Sequence, residues 1–154
     1  MSDRPVLYHM PQTRGGTTLW MSEELGDVCT VKLVNLKKGE GRTQEFLKLN
    51  PMGKVPTLTH KGVIVTETAA ICAYLADQFP EKGLAPAPDD PRRGVYYRWM
   101  FFAPSCIEPM MLDRLGKVAR ENAGAVGHGD YERVMASISQ ALANGPYLLG
   151  EKFS

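Results

Sequence analysis

The sequence has few cysteines, and they form no recognisable cluster. Cys29, Cys72 and Cys106 lie far apart and are odd in number. No pair forms the C-x-x-C motif that is typical of zinc sites and dithiol redox centres. We therefore predict neither kind of centre, and the cysteine usage favours a reducing cytoplasm.

Long hydrophobic runs and an excess of charge of one sign are also missing. No apolar run approaches the length that crosses a bilayer, and the N-terminal stretch MSDRPVLYHM is too short and too polar for a signal peptide. The 18 Lys and Arg residues nearly balance the 17 Asp and Glu residues, for a formal charge of +1. The composition therefore favours neither nucleic acid nor a membrane as a partner.

Up to about residue 79, short apolar runs alternate with helical segments. Runs rich in β-branched residues predict strands, and apolar residues three or four apart predict helices. The predicted order is strand 5–8, helix 15–25, strand 28–36, helix 42–50, two strands within VPTLTHKGVIVT, and helix 66–79. The first two strands flank a helix, which indicates a parallel pair, and the last two form a hairpin. This order predicts a small mixed sheet with helices on both faces.

The composition changes over residues 79–93, which carry four of the eleven prolines and show no periodicity. We interpret this stretch as an interdomain linker. Asp90, followed by a proline, predicts the start of a mostly helical segment that extends to about residue 121. We expect this segment to bend or break near Pro104 and Pro109.

The chain is therefore predicted to contain two domains. We assign residues 1–80 to the α/β domain, 81–90 to the linker and 91–154 to an all-α domain. Asp130 is expected to cap a helix of that second domain. Ser154 would be a good N-cap for a further helix, but the sequence stops there, so the all-α domain is expected to be incomplete.

Three stretches carry a family resemblance: LYHMPQTRGGTTLWMSEELG, LNPMGKVPTL and TETAAICAYL occur in this order. Together with the order of elements, they resemble the cytosolic glutathione S-transferases of bacterial type, with a serine- or threonine-like first motif. The resemblance implies a thioredoxin-like N-terminal domain of order β-α-β-α-β-β-α and an all-helical C-terminal domain, truncated here. It also implies glutathione as co-substrate, without a metal.

The resemblance assigns glutathione-binding roles to five residues of the second and third stretches. Glu67 would pair with the ligand's ammonium, and the Thr68 hydroxyl would contact its α-carboxylate at a helix N-terminus, where an anion is favoured. A cis Val55–Pro56 bond would turn the Val55 backbone toward the ligand's cysteine. Lys54 would pair with the glycine carboxylate. Helix capping at Glu67 and Thr68, an ordinary trans proline and a solvated lysine are the alternatives that the residues leave open.

The first stretch contains the candidates for contact with the glutathione sulfur. Thr13 stands where the family usually has serine, and its hydroxyl would hydrogen-bond the sulfur and lower the thiol pKa. Arg14 could instead stabilise a thiolate by its charge. Gly15 stands where some relatives keep a second serine, and Tyr8 lies too early for a catalytic tyrosine, which favours core packing. A simple N-cap is the alternative for Thr13.

The resemblance places the site for the second substrate between the two domains. Met10, Phe101, Phe102 and Cys106 are the candidates for the walls of a hydrophobic acceptor site. Helix-core packing is the alternative for most of them. Apolar walls of this kind predict a hydrophobic electrophile without identifying it.

The function predicted from these motifs is that of a glutathione transferase. The chain would stabilise the glutathione thiolate and transfer it to a hydrophobic electrophile, or reduce a peroxide. A non-catalytic glutathione-binding or protein-interaction module and a glutathione-dependent disulfide reductase are the alternatives. The resemblance further implies a homodimer and a cytoplasmic location. His9, His60 and His128 are scattered, so we expect no metal site.

Overall fold

A computed structural model describes residues 4–118 and 123–154 of the chain. The chain divides into two compact units, Met1–Lys82 and Gly83–Ser154. The first unit contains the elements β1 Val6–His9, α1 Gly15–Glu24, β2 Thr30–Leu33, α2 Gln44–Leu49, β3 Thr57–His60, β4 Val63–Thr66 and α3 Thr68–Gln78. The predicted order β-α-β-α-β-β-α is confirmed.

The four strands form one mixed sheet in the order β2-β1-β3-β4. Strands β1 and β2 are parallel, while β1 with β3 and β3 with β4 are antiparallel. Both pairings predicted from the sequence, the parallel pair and the hairpin, are therefore confirmed. Strand β2 ends earlier than predicted because the Asn35 side chain accepts the Lys38 N–H at 3.0 Å and starts a one-turn 3₁₀ helix there.

One face of β1 contributes to a fully buried part of the core. Leu7 on β1 and Leu58 on β3 are fully buried, as are Ile71 and Leu75 on α3. Helices α1 and α3 pack against each other. Burying each such aliphatic side chain stabilises the fold by about 1.5–3 kcal/mol. The spacing of Ile71, Leu75 and Phe79 predicts one buried helix face; Ile71 and Leu75 are buried as expected, whereas Phe79 lies just after the helix and is half-buried.

A second cluster involves Tyr8, because successive residues of a strand point to opposite faces of the sheet. The Tyr8 ring packs edge-on against Phe46 of α2, with ring centroids 5.8 Å apart. The same cluster contains Val34 and Val55, with Met10, Leu36 and Leu49 partly buried against it. The assignment of Tyr8 to core packing is therefore confirmed.

The second unit is helical. Its described helices are α4 Arg93–Phe102, α5 Glu108–Leu115 and α6 Tyr131–Ala141, and one π-helical turn, Ala103–Ile107, connects α4 and α5. This turn contains Pro104, which has no N–H to donate to a helical hydrogen bond. The predicted interruption of the helix lies at this turn. Asp130 caps α6 as predicted, accepting the Arg133 N–H at 2.9 Å. None of the helices within the described residues has the length and hydropathy needed to cross a membrane.

Candidate functional site

Three loops of the first unit meet at one end of the sheet. The register places Tyr8 of β1 opposite Thr57 of β3, and Thr57 opposite Thr66 of β4. Because these pairs are antiparallel, the residues after β1, before β3 and after β4 emerge at the same end. These are the loops with the predicted sulfur-contacting and glutathione-binding residues, so the fold brings the three motifs together.

The loop after β1 positions the Thr13 hydroxyl at the start of α1. This hydroxyl donates to the Met10 carbonyl at 2.6 Å and accepts the Gly15 N–H at 3.2 Å. The helix begins at Gly15, and Arg14 precedes it with its side chain exposed. Thr13 therefore organises the turn that leads into α1, and its only hydroxyl proton is engaged with a backbone carbonyl.

A buried histidine stands beside this turn. His9, the last residue of β1, is 4% exposed. A Cβ added to Gly15 would lie 2.7 Å from the His9 Nδ1 atom and 3.2 Å from the Thr13 Oγ1 atom. Gly15 is therefore required for close packing of the imidazole over the first residue of α1.

The loop before β3 is held by two buried polar side chains. Asn50 donates from Nδ2 to the Lys54 carbonyl at 2.8 Å, and the Thr57 hydroxyl donates to the same carbonyl at 3.1 Å. The Val55–Pro56 bond is cis, as the resemblance implied. Within the described residues, the Val55 N–H and C=O groups have no hydrogen-bond partner.

A close approach of two backbone segments fixes the same loop from outside. Gly53 has a φ of +65°, in the left-handed region that glycine tolerates best. A Cβ on Gly53 would lie 2.5 Å from the Gly41 carbonyl oxygen, and a Cβ on Gly41 would lie 2.5 Å from the Gly53 carbonyl oxygen. Only two glycines permit this contact between the 3₁₀ turn Glu40–Arg42 and the loop before β3.

The residue between β4 and α3 has a strained backbone. Glu67 has φ 69° and ψ 125°, a conformation that costs a residue with a Cβ about 1–3 kcal/mol. Its side chain is exposed and does not cap α3, as far as the described residues go. Thr68 begins the helix, and Ile71 donates the first intrahelical hydrogen bond to the Glu67 carbonyl at 2.9 Å. The N-terminus of α3 therefore presents backbone N–H groups next to Glu67, a carboxylate residue whose backbone has an unusual conformation.

Known proteins resemble this chain in sequence and in structure. The family model for the N-terminal domain of glutathione S-transferases matches residues 6–77. The chain is 43% identical over 79 residues to glutathione S-transferase 1 of Dianthus caryophyllus, covering 51% of this chain and 35% of that protein. A crystal structure of a glutathione transferase homologue from Sulfitobacter with bound glutathione superposes with a TM-score of 0.70 at 26% identity, covering 99% and 76% of the two chains. The match over residues 6–77 identifies the first unit as a glutathione S-transferase N-terminal domain.

The similarity to this family extends into the second unit. Glutathione S-transferase Z2 of Arabidopsis thaliana is 41% identical over 112 residues, which cover 73% of this chain and 47% of that protein. The chain thus spans less than half the length of each of these two curated relatives. Its mixed sheet is the thioredoxin-like arrangement that the resemblance implied.

The predicted candidates for an acceptor site lie in different local surroundings. Met10 belongs to the first unit and packs against the cluster around Phe46. In the second unit, Phe101 is 67% exposed, whereas Phe102 packs edge-on against Trp99 with ring centroids 5.1 Å apart. Cys106 lies half-buried in the π-helical turn.

Burial disfavours ionisation of the two cysteines of the first unit. Burial raises the pKa of the Cys72 thiol from 9.0 to about 11, and burial also raises the pKa of Cys29. These thiols are therefore protonated near neutral pH. Within the described residues, no group of three or more His, Cys, Asp or Glu side chains is arranged to hold a metal ion.

Sequence reasoning missed the residues that support the site. Asn50 and Thr57 flank the Val55–Pro56 turn and are buried, at 5% and 0% exposure. An asparagine before one proline and a threonine after another are the signal that points to them, because both residue types hydrogen-bond nearby backbone. The contact of His9 with Gly15 has no counterpart in the local sequence pattern.

Proposed function

We propose that this chain binds glutathione and holds its thiolate for reaction with a second substrate. The observation that carries the proposal is the strained Glu67 backbone at the uncapped N-terminus of α3. Strain of this kind persists where the surrounding structure imposes it, and it concentrates at binding and catalytic sites. Glu67 pairs with the ligand's ammonium, while Thr68 and the first N–H groups of α3 receive the α-carboxylate.

The middle of the ligand binds along the neighbouring loop. The Val55 N–H and C=O groups pair with the cysteine backbone of glutathione as one rung of a sheet, which satisfies two groups that have no partner in the described chain. Lys54, which is exposed, pairs with the glycine carboxylate, and Pro56 maintains the turn. The ligand thereby extends from α3 toward the start of α1.

Thr13 and Arg14 stabilise the sulfur. For the Thr13 hydroxyl to donate to the thiolate, it turns away from the Met10 carbonyl, and one hydrogen bond replaces another. The dipole of α1 and the charge of Arg14 add to this effect, which lowers the thiol pKa.

The second substrate is a hydrophobic electrophile or a peroxide. With an aryl halide, the thiolate sulfur forms a bond to carbon as the carbon–halogen bond breaks and halide leaves. With a hydroperoxide, two glutathione molecules are oxidised to the disulfide while the peroxide is reduced to an alcohol and water. Met10, in the same loop as Thr13, supplies an apolar wall for this substrate, and the functional protein is a homodimer.

Glutathione binding without turnover is the second candidate function. The observation that favours it is the short hydrogen bond from Thr13 to Met10, because a hydroxyl that keeps this bond has no proton to donate to sulfur. A chain that binds glutathione but converts no aryl halide, hydroperoxide or disulfide has this second function.

Calorimetric titration with glutathione tests the proposal. We expect the wild type to bind, and Glu67→Gln to bind about 10- to 150-fold more weakly, because a charge-assisted hydrogen bond contributes about 1.5–3 kcal/mol. Glu81→Gln is the matched control, since Glu81 is exposed in the 3₁₀ turn after α3. No heat of binding to wild type at millimolar glutathione would refute the proposal. Equal affinities of wild type and Glu67→Gln would remove Glu67 from the site.

A further inference from the structure

His9 contains a polar atom with no partner. Its Nδ1 is buried and forms no hydrogen bond within the described residues, although nearly all buried polar atoms of folded proteins are paired. The backbone carbonyl of His9 does have a partner, because it accepts the Val34 N–H at 2.8 Å. The unpaired atom is therefore a ring nitrogen, and its residue is only 4% exposed.

The unpaired nitrogen faces the start of α1. The position that a Cβ on Gly15 would occupy lies 2.7 Å from His9 Nδ1 and 3.2 Å from Thr13 Oγ1. The ring nitrogen and the hydroxyl oxygen therefore both lie close to that position, but no hydrogen bond joins them while the hydroxyl bonds the Met10 carbonyl. A rotation of the Thr13 side chain changes the distance between Thr13 Oγ1 and His9 Nδ1 without moving the backbone.

We propose that His9 is a positioning residue for the glutathione sulfur and acts through Thr13. When the Thr13 hydroxyl turns from the Met10 carbonyl toward the sulfur, its oxygen accepts a hydrogen bond from the Nδ1–H of His9. The proposal rests on the proposed function, since it needs a thiolate beside Thr13. It completes the hydrogen bonding of a nitrogen that has no other partner in the described part of the chain.

The hydrogen-bonding capacity of a hydroxyl allows this arrangement. A threonine oxygen donates one hydrogen bond and accepts two, and the Gly15 N–H occupies one acceptor position while the hydroxyl bonds the Met10 carbonyl. The second acceptor position is available to His9. A chain from Nδ1–H through Oγ–H to the thiolate is cooperative, because each bond polarises the next. No proton is transferred and no covalent bond breaks. The hydrogen bond from His9 makes the Thr13 hydroxyl a stronger donor.

Two substitutions separate this role from simple packing. His9→Phe keeps a ring in the buried position and removes Nδ1, whereas His9→Asn keeps a donor near the Nδ1 position and removes the rest of the ring. The readout is the ultraviolet absorbance of the bound glutathione thiolate as a function of pH, measured with saturating glutathione. Below the thiol pKa, we expect His9→Phe to have about fivefold to tenfold less thiolate than wild type, as for the loss of one hydrogen bond. His9→Asn should restore most of it.

The opposite order would overturn the proposal: if His9 only packs, His9→Phe keeps the wild-type titration and His9→Asn loses it. A measurement on the wild type covers the case in which a variant fails to fold. NMR of the isotope-labelled imidazole should show the proton on Nδ1, with a shift on addition of glutathione that S-methylglutathione does not reproduce. A proton on Nε2 alone would refute the proposal.

The same experiments distinguish the two proposals from each other. If wild type binds no glutathione in calorimetry, the proposed function fails and the role of His9 fails with it. If wild type binds glutathione and the thiol titrates alike in all three proteins, the proposed function stands and the role of His9 is refuted.

Discussion

The contact between Gly15 and His9 makes a sharp prediction about two neighbouring glycines. In Gly15→Ala, the new Cβ would lie 2.7 Å from His9 Nδ1, so the buried ring must move by roughly 0.7 Å or more to reach an ordinary contact distance. In Gly16→Ala, the new Cβ meets no atom within 4 Å. The two substitutions are chemically identical and adjacent, so Gly16→Ala is a matched control.

The expected magnitudes follow from two opposing effects. Alanine is favoured over glycine in a helix by up to about 1 kcal/mol, which raises the free energy of unfolding of Gly16→Ala. Gly15→Ala has the same gain but also overpacks the buried site, at a cost of about 1–3 kcal/mol. We therefore expect Gly15→Ala to be less stable than Gly16→Ala by about 1–3 kcal/mol.

Equilibrium unfolding in urea measures this difference. The two variants should differ in the denaturation midpoint at a common slope, because the folded state keeps its compactness. The bound-thiol titration of Gly15→Ala should also resemble that of His9→Phe, since the displaced ring no longer reaches Thr13. Equal free energies of unfolding for the two alanine variants would refute this prediction, because the His9 ring would then accommodate the new methyl group at position 15 without cost.

Three further predictions concern other parts of the chain. Thr57→Val should lower the free energy of unfolding by about 1–3 kcal/mol in urea denaturation, because it removes a buried donor to the Lys54 carbonyl; an unchanged value would refute the role of this hydroxyl in the loop. Asp130→Ala should cost about 1 kcal/mol through loss of the α6 cap, whereas Asp130→Asn should cost only a few tenths, and equal losses would contradict capping. Native Cys72 should react with a maleimide slowly near neutral pH and faster as the pH rises toward about 11, where its thiolate forms; rapid labelling at neutral pH would contradict the raised pKa.

Local patterns in the sequence predicted the order of elements well. The β-branched runs and the turn residues determine where each strand of the first unit lies, and the spacing of Ile71 and Leu75 determines which face of α3 is buried. The boundaries were less accurate, because an Asn35 side chain ends β2 early and the sequence pattern continues through it. Pattern and periodicity depend on residues that are close along the chain, and the positions of helices and strands are determined largely by such residues.

The site could be predicted only in part, because its geometry depends on contacts between distant residues. The resemblance located Val55, Pro56 and Glu67, and it implied the cis bond. It did not reveal the strained backbone of Glu67, which the β4–α3 junction imposes. Nor did it reveal the contact of His9 with Gly15, because two residues six positions apart meet only after the loop between them folds back.

The paired glycines Gly41 and Gly53 have a consequence for anyone who would transplant or redesign this site. The backbone carbonyl oxygen of each glycine excludes a side chain at the other position. A substitution at one position therefore cannot be compensated by a substitution at the other. The loop that presents Val55 is therefore one half of a two-part module, and the turn Glu40–Arg42 is the other half. A graft of residues 50–57 alone onto another scaffold should lose its shape, whereas a graft that includes the partner turn should keep it.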